Sequence, residues 1–310
     1  MNVEIYYFTA TGNSLKVSRE IGVKLNAELI SIPSLMDWDK ISPEADIIGI
    51  IFPVYYATNG CSGIPLIVER FLNKFVNIGA KYIFAVCTHS GMPGTTIENL
   101  NKIIKSQGGT LSAGFTLKTY NYTPSMAEKL KQSIFHHEID TNDERLNVRW
   151  EKNAIQQKKK IEVICNYIKN KKHGVLETRN FLKKIINAPF LFLLIKPVFK
   201  NRFKKLTGTS HLRFEEMIPL ADRTFHTNEN CNGCGICARI CPVNNIKMVN
   251  DKPFWHHQCE TCLACYVWCP NKAIYGDVTD YANRYHHPNV KISDILDRKL
   301  KKYMEVKING

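Results

Sequence analysis

Eight cysteines between Cys231 and Cys269 constrain this 310-residue chain more than any other feature. They form two runs of one pattern, Cys-x-x-Cys-x-x-Cys-x-x-x-Cys-Pro: Cys231, Cys234, Cys237 and Cys241 with Pro242, then Cys259, Cys262, Cys265 and Cys269 with Pro270. A cubane of iron and sulfide needs four thiolates arriving from four directions, and one short loop cannot wrap that far. Three close cysteines reach three corners, and a more distant one closes the fourth. Structural zinc would use pairs of Cys-x-x-Cys and leave cysteines of each run unused. Disulfides would call for a secreted chain, whereas Met1 to Thr9 run straight into a strand pattern with no signal peptide. The runs are also an internal repeat, from C-N-G-C-G-I-C to C-E-T-C-L-A-C, ending at Ile246 and Ile274. Gly233, Gly235 and Ala264 are small enough for backbone N–H groups to approach cluster sulfur.

The runs resemble those of bacterial two-cluster ferredoxins, in which the fourth cysteine of each run ligates the other cluster. That resemblance assigns one [4Fe-4S] cluster to Cys231, Cys234, Cys237 and Cys269. A second falls to Cys259, Cys262, Cys265 and Cys241.

At the other end of the chain, Val3 to Phe8 reads as a strand and Ser14 to Leu25 as an amphipathic helix. Between them lie Thr9, Ala10, Thr11, Gly12, Asn13 and Ser14, a loop of hydroxyl and amide side chains at a helix N-terminus, which suits a phosphomonoester. An ordinary helix cap by Thr11 or Ser14 is the bland alternative. The apolar runs 46–52 and 81–87 fit parallel strands covered on both faces, helical patterns follow at 64–75 and 95–106, and 110–118 supplies a fifth strand. Such alternation predicts a doubly wound α/β sheet with its ligand beyond the carboxyl ends of the strands.

The six-residue loop resembles the T/S-x-T-G-N-T/S fingerprint of flavodoxins, where it holds the phosphate of FMN. The resemblance implies that the loops after the third and fourth strands wall the flavin ring, with Pro53, Tyr55, Tyr56, Asn59 and Gly60 on one side. On the other stand Thr88, His89, Ser90, Gly91 and Gly94. Tyr55 or Tyr56 can stack on the ring, and either can instead be core, since adjacent strand residues face opposite ways. His89 is the acid-base candidate, placed to protonate flavin or substrate, although such a residue also serves its own loop. Cys87 ends an apolar strand and reads as a small buried hydrophobe.

The formal charge of +14 is concentrated: residues 141–212 hold 17 Lys and Arg against 5 Asp and Glu. A helical, polar connector with solvated basic clusters accounts for it, and an acidic partner or anionic surface is favoured. Within Phe181 to Phe199 an apolar run, Pro189 to Ile195, is flanked by Lys183, Lys184, Lys196 and Lys200 and is too short to span a membrane. That run either packs between the two cofactor modules or touches a membrane peripherally. Within 225–277 acidic and basic residues balance, unlike free ferredoxins, which points to a built-in module serving its own chain.

Taken together, the chain resembles the anaerobic family of fused flavodoxin-ferredoxin proteins. The organisation expected is a flavodoxin-like five-stranded parallel sheet (1–140), a basic helical connector (141–220), a small α+β ferredoxin-like 2[4Fe-4S] domain (221–280) and a tail (281–310). The resemblance implies two [4Fe-4S] clusters, FMN, redox protein partners and a reducing cytoplasm. It leaves open an FMN- and iron-sulfur-dependent oxidoreductase acting on a small-molecule acceptor, a pure carrier between proteins, or a ferredoxin carrying a flavin-free α/β domain. No motif for reading nucleic acid is present.

Overall fold

The computed structural model describes residues 2–57, 61–119, 144–177, 196–279 and 284–296. Its centre is one parallel sheet of β1 (Val3–Tyr7), β2 (Glu28–Ser31), β3 (Ile47–Pro53), β4 (Tyr82–His89) and β5 (Leu111–Lys118), in the order β2-β1-β3-β4-β5. This is the flavodoxin-like doubly wound order, whose switch point lies between β1 and β3. The strand alternation of period two sorts side chains to opposite faces. Val3, Ile5, Ile47, Ile51, Phe84 and Val86 enter one core, and Tyr6, Phe8, Ile48, Ile50, Phe52 and Ile83 enter the other. Each such side chain contributes about 1.5–3 kcal/mol by leaving water.

Helices cover both faces. The second core is closed by α2 (Leu66–Leu72) and α3 (Thr96–Ser106) through Ile67, Phe71, Leu100 and Ile104. The first is closed by α1 (Asn13–Leu25) and α4 (Glu144–Lys169), the latter contributing Ile161, Ile164, Cys165 and Ile168. The basic helix therefore has an apolar edge on the sheet, and its neighbour Leu176 bridges to Gly114 of β5. Beyond it, α5 (Lys196–Thr207), α6 (Phe214–Met217) and the 3-10 turn Ile218–Thr224 build a small third core of Phe203, Leu206, Phe214, Met217, Ile218 and Ala221. Residues 181–195, which include the apolar connector run, lie outside the described residues. Among the described residues no helix is long and apolar enough to cross a membrane.

The cysteine-rich region is two antiparallel ribbons and two short helices related by the internal repeat. β6 (His226–Thr227) pairs with β9 (Ile274–Tyr275), and β7 (Ile246–Val249) pairs with β8 (Lys252–Trp255). α7 (Ile236–Ile240) and α8 (Ala264–Val267) occupy equivalent places in the two runs.

After β9 the chain returns to the sheet as a strap, residues 284–296, ending in α9 (Ile292–Leu296). Arg284 anchors its start by donating to the carbonyls of Tyr266, Lys272 and Ile274. Asp294 anchors its end on Arg19 of α1 at 2.8 Å. Between them His287 is buried, and its backbone N–H donates to the Thr11 carbonyl at 2.8 Å.

Burial, aided by Lys16, pushes the His287 imidazole down to about 4. An unfolded histidine binds its proton below about pH 6.5, so in the window from 6.5 to 4 protons favour the unfolded chain. Lowering pH from 7 to 5 is expected to remove about 2 kcal/mol of stability through this group. Thermal melting should show the loss in the wild type and a smaller one in His287→Asn, which keeps an acceptor for the Asn289 N–H that the ring nitrogen now takes. An equal loss in both proteins would refute the assignment.

Candidate functional site

The loop between β1 and α1 is held from within. Gly12 N–H donates to Thr9 Oγ1 at 3.1 Å, and Asn13 Nδ2 reaches Thr11 Oγ1 at 3.4 Å. Ser14 Oγ meets Thr88 Oγ1 of β4 at 2.8 Å, which ties the loop to the neighbouring strand end. Gly12 starts the helix at φ 92°, and no side chain caps α1. The loop that opens this 13-residue helix is therefore a cradle of hydroxyls and one amide, with no lysine among residues 9–14. That donor set fits a phosphomonoester.

The loops after β3 and β4 stand beside it at the same end of the sheet. Pro53 ends β3, and the next residue, Val54, donates its N–H to the Thr88 carbonyl at 2.8 Å. A Cβ at Gly94 would lie 3.0 Å from Ala57, so the two loops touch there, whereas around Gly91 there is open space. Ser90 is exposed. The adjacent tyrosines diverge. Tyr55 sets its ring edge-on to Phe8 at 6.3 Å, while Tyr56, at φ 55°, turns to the third core against Phe203 and Phe214. Asn59 and Gly60 lie outside the described residues.

His89 serves its own loop: Nδ1 lies 2.7 Å from the Gly91 carbonyl. A carbonyl only accepts, so Nδ1 carries the proton, and burial holds the ring's pKa below its ordinary value. At neutral pH the ring therefore presents a lone pair at Nε2 rather than a proton. Cys87 is fully buried, and burial alone pushes its thiol up.

The cysteines gather into two sets that cross between the runs. Cys231, Cys234, Cys237 and Cys269 line one pocket. Cys262 and Cys241 stand next to Cys265, and Cys262 and Cys265 next to Cys259. Among the described residues no three His, Cys, Asp or Glu groups converge on one point as a single metal ion would require. The thiols of the first set line a cavity instead. Burial first, then neighbouring thiols, push Cys237 up to about 11 and Cys259 and Cys265 well above the ordinary value. Thiols so gathered lose their protons to a cationic centre, which is the chemistry of a metal site.

Backbone N–H groups already address the sulfurs, and the repeat is kept atom for atom. Asn245 N–H donates to Cys241 Sγ and Ala273 N–H to Cys269 Sγ, both at 3.3 Å. Thr261 N–H reaches Cys259 Sγ at 3.2 Å. Asn244 and Lys272, directly before two of these donors, are left-handed at φ 54° and 48°. Within the runs Gly233 and Gly235 are left-handed at φ 73° and 69°, and their counterparts Thr261 and Leu263 adopt φ 48° and 59°. Two residues with side chains are thus strained where glycine serves elsewhere, by about 1–3 kcal/mol each.

Contacts between the cysteine region and the sheet involve residues that sequence reasoning did not single out. Trp268, next to Cys269, donates its indole N–H to the Ala10 carbonyl at 2.7 Å and stacks on His286 at 4.2 Å. Glu260, between Cys259 and Cys262, is buried and reaches α2. Tyr56 has its hydroxyl beside Thr261, with Cys259 and Cys262 nearby; burial raises its phenol. For Trp268, Glu260 and Thr261 the only sequence signal was proximity to the cysteines, whereas Tyr56 was expected beside a flavin ring and instead faces the second cysteine run.

The family model for the 4Fe-4S binding domain matches residues 226–247, which include the four cysteines of the first run. Among solved structures the chain is similar to a Streptococcus pneumonia TIGR4 flavodoxin, at 13% identity over 41% of this chain and 90% of that one, with a TM-score of 0.30. It is similar to a two-electron reduced Megasphaera elsdenii flavodoxin at 18% identity, covering 37% and 85%, TM-score 0.30. A flavodoxin from the domain Archaea shares 15% identity, covering 52% and 99%, TM-score 0.30. No curated protein matches. At such identities it is the strand order of the chain itself that defines the fold. One chain thus joins a flavodoxin-like sheet to a 4Fe-4S binding region, the make-up of a fused flavodoxin-ferredoxin protein.

Gly12 is where the strap meets the loop. A Cβ there would fall 2.9 Å from Val290 Cβ, at a φ that disfavours side chains. Gly12→Ala is expected to cost about 1–3 kcal/mol. The same variant should speed hydrogen exchange in 284–296; unchanged melting and exchange would show that the strap does not rest on this glycine.

Proposed function

We propose that this protein is an electron-transfer flavo-iron-sulfur protein holding two [4Fe-4S] clusters and FMN in one chain. The observation that carries the reading is the meeting of the second cysteine set with the loop after β3, at Tyr56, Thr261, Cys259 and Cys262. In this reading Cys231, Cys234, Cys237 and Cys269 hold the first cluster, and Cys241, Cys259, Cys262 and Cys265 the second. Thr9, Ala10, Thr11, Gly12, Asn13 and Ser14 hold the FMN phosphate, and the loops 53–60 and 88–94 flank its ring. The flavin-binding module takes in α4 and Leu176 as well as residues 1–140, because these complete its core and edge.

Clusters supply single electrons, whereas a flavin takes up one or two. Around them the chain's own groups have separate tasks. Backbone N–H groups of Asn245, Thr261 and Ala273 offset negative charge on sulfur. Trp268 and the strap cover one side of the phosphate loop, at Ala10, Thr11 and Gly12. Acidic redox proteins are the partners that the basic connector favours.

A pure carrier role is the second reading, favoured by His89, whose ring carries its proton on Nδ1 toward Gly91 and offers no acid at neutral pH. Turnover of small acceptors by the purified protein would select an oxidoreductase; turnover with protein acceptors alone would select the carrier.

Anaerobically purified protein is expected to contain about eight irons and one FMN. Cys269→Ser and Cys241→Ser should each lower iron to about four, by loss of different clusters distinguishable by EPR. Full iron without flavin, even after reconstitution with FMN, would sink the flavin half of the reading.

A further inference from the structure

The two cysteine runs are alike in pattern but differ at one position that matters. The residue after the first cysteine is Asn232 in one run and Glu260 in the other. Asn232 turns inward on its own loop, accepting the Cys234 N–H at 3.3 Å. Glu260 instead leaves its loop. Its side chain is 1% exposed, and Oε2 accepts the Ile67 N–H of α2 at 3.0 Å. The Leu66 N–H also donates to it, and Arg70, one turn further along α2, pairs with Oε1 at 2.5 Å. No side chain of α2's own segment caps that helix, because Pro65 stands at the cap position. The cap comes from 193 residues away in sequence.

Burying a carboxylate is costly unless it is paired and hydrogen-bonded. Here one carboxylate satisfies two backbone donors at a helix N-terminus and one guanidinium, so the loop carrying Cys259 and Cys262 fits α2 in one seating. Next to it the same loop meets Tyr56, and Cys262 packs against the core that holds Val54 and Tyr55. Among the described residues the first run shows no such buried carboxylate clamp, and its Cys234 is exposed.

We propose that Glu260 is a positioning latch that seats the second cysteine run on the flavin-side module, so that the clusters have an order. The set Cys241, Cys259, Cys262 and Cys265 stands on the flavin side, and the set containing Cys234 faces solvent, where an outside redox protein delivers or collects electrons one at a time. The electron-passing half rests on the function proposed above; the latch itself does not.

The test compares holo wild type with Glu260→Ala and Glu260→Gln, all matched for iron and sulfide. Hydrogen-exchange mass spectrometry of the peptide covering Leu66 and Ile67 is expected to show about tenfold or faster exchange in Glu260→Ala, as loss of hydrogen bonds to a charged acceptor implies. Glu260→Gln keeps an acceptor oxygen and should fall between. Stopped-flow reduction by a one-electron donor should show slower arrival of electrons at the flavin in Glu260→Ala, with reduction of the exposed cluster unchanged. Unaltered exchange at α2 would overturn the latch. Faster exchange with an unchanged rate of flavin reduction would overturn the ordering. Wild type without flavin would remove the electron-passing half together with the relay, while exchange at α2 would still decide the latch.

Discussion

Eight thiols have to be gathered and held by the 39 residues from Cys231 to Cys269, and the rest of the structure answers to that demand. Few residues remain there to form a core, so the region borrows one. Cys237, Ile240, Cys265, Tyr266 and Trp268 belong to the same buried cluster as Leu15, Ile21 and Phe84 of the sheet module. A domain this small is marginal when it depends on its own apolar area, and a shared core removes that deficit. The left-handed turns at Thr261 and Leu263 are held by the same packing, since a strained backbone persists only where its surroundings over-determine it.

The sheet contributes a gathering of loops. Parallel strands deliver all their carboxyl ends to one side, so the loops after β1, β3 and β4 meet there without any of them being long. Ser14, Thr88 and Val54 lock these loops together by hydrogen bonds. The cysteine region then docks on that same side, through Trp268 at the first loop and through Glu260 and Thr261 near the second. Two cofactor-type sites are thereby brought together by the geometry of one sheet edge. The intervening helices contribute too: Phe203 and Phe214 bury the outer side of Tyr56.

Several features were legible from residue order. The strand patterns at 46–52, 81–87 and 110–118 match β3, β4 and β5 to within two residues, because burial on both faces writes a continuous apolar run. The helix expected from Ser14 starts at Asn13, and the connector expected to be helical is so over Glu144–Lys169 and Lys196–Thr207. What the charge count concealed is the narrow stripe of Ile161, Ile164 and Ile168 on that basic helix, which makes it a layer of the sheet module. The tyrosine pair illustrates the limit. Sequence expected the pair to diverge as adjacent strand residues do, but both lie beyond β3, and they diverge because Tyr56 turns at φ 55°; which cores they meet depends on Phe8 in one direction and on Phe203 and Phe214 in the other.

By itself the sequence determined the elements whose physics is local: the period-two strands, the hydroxyl-rich loop opening a helix, and two cysteine runs of one spacing. These need only neighbours along the chain to be recognised. Tertiary structure alone decided which surfaces meet. Glu260 reads as one more charge in a balanced segment until α2 offers two amide donors and Arg70, and Trp268 reads as an ordinary apolar residue until Ala10 offers its carbonyl. A buried polar group gains its meaning from its partner, and here the partners lie 190 or more residues away, where no local pattern records them.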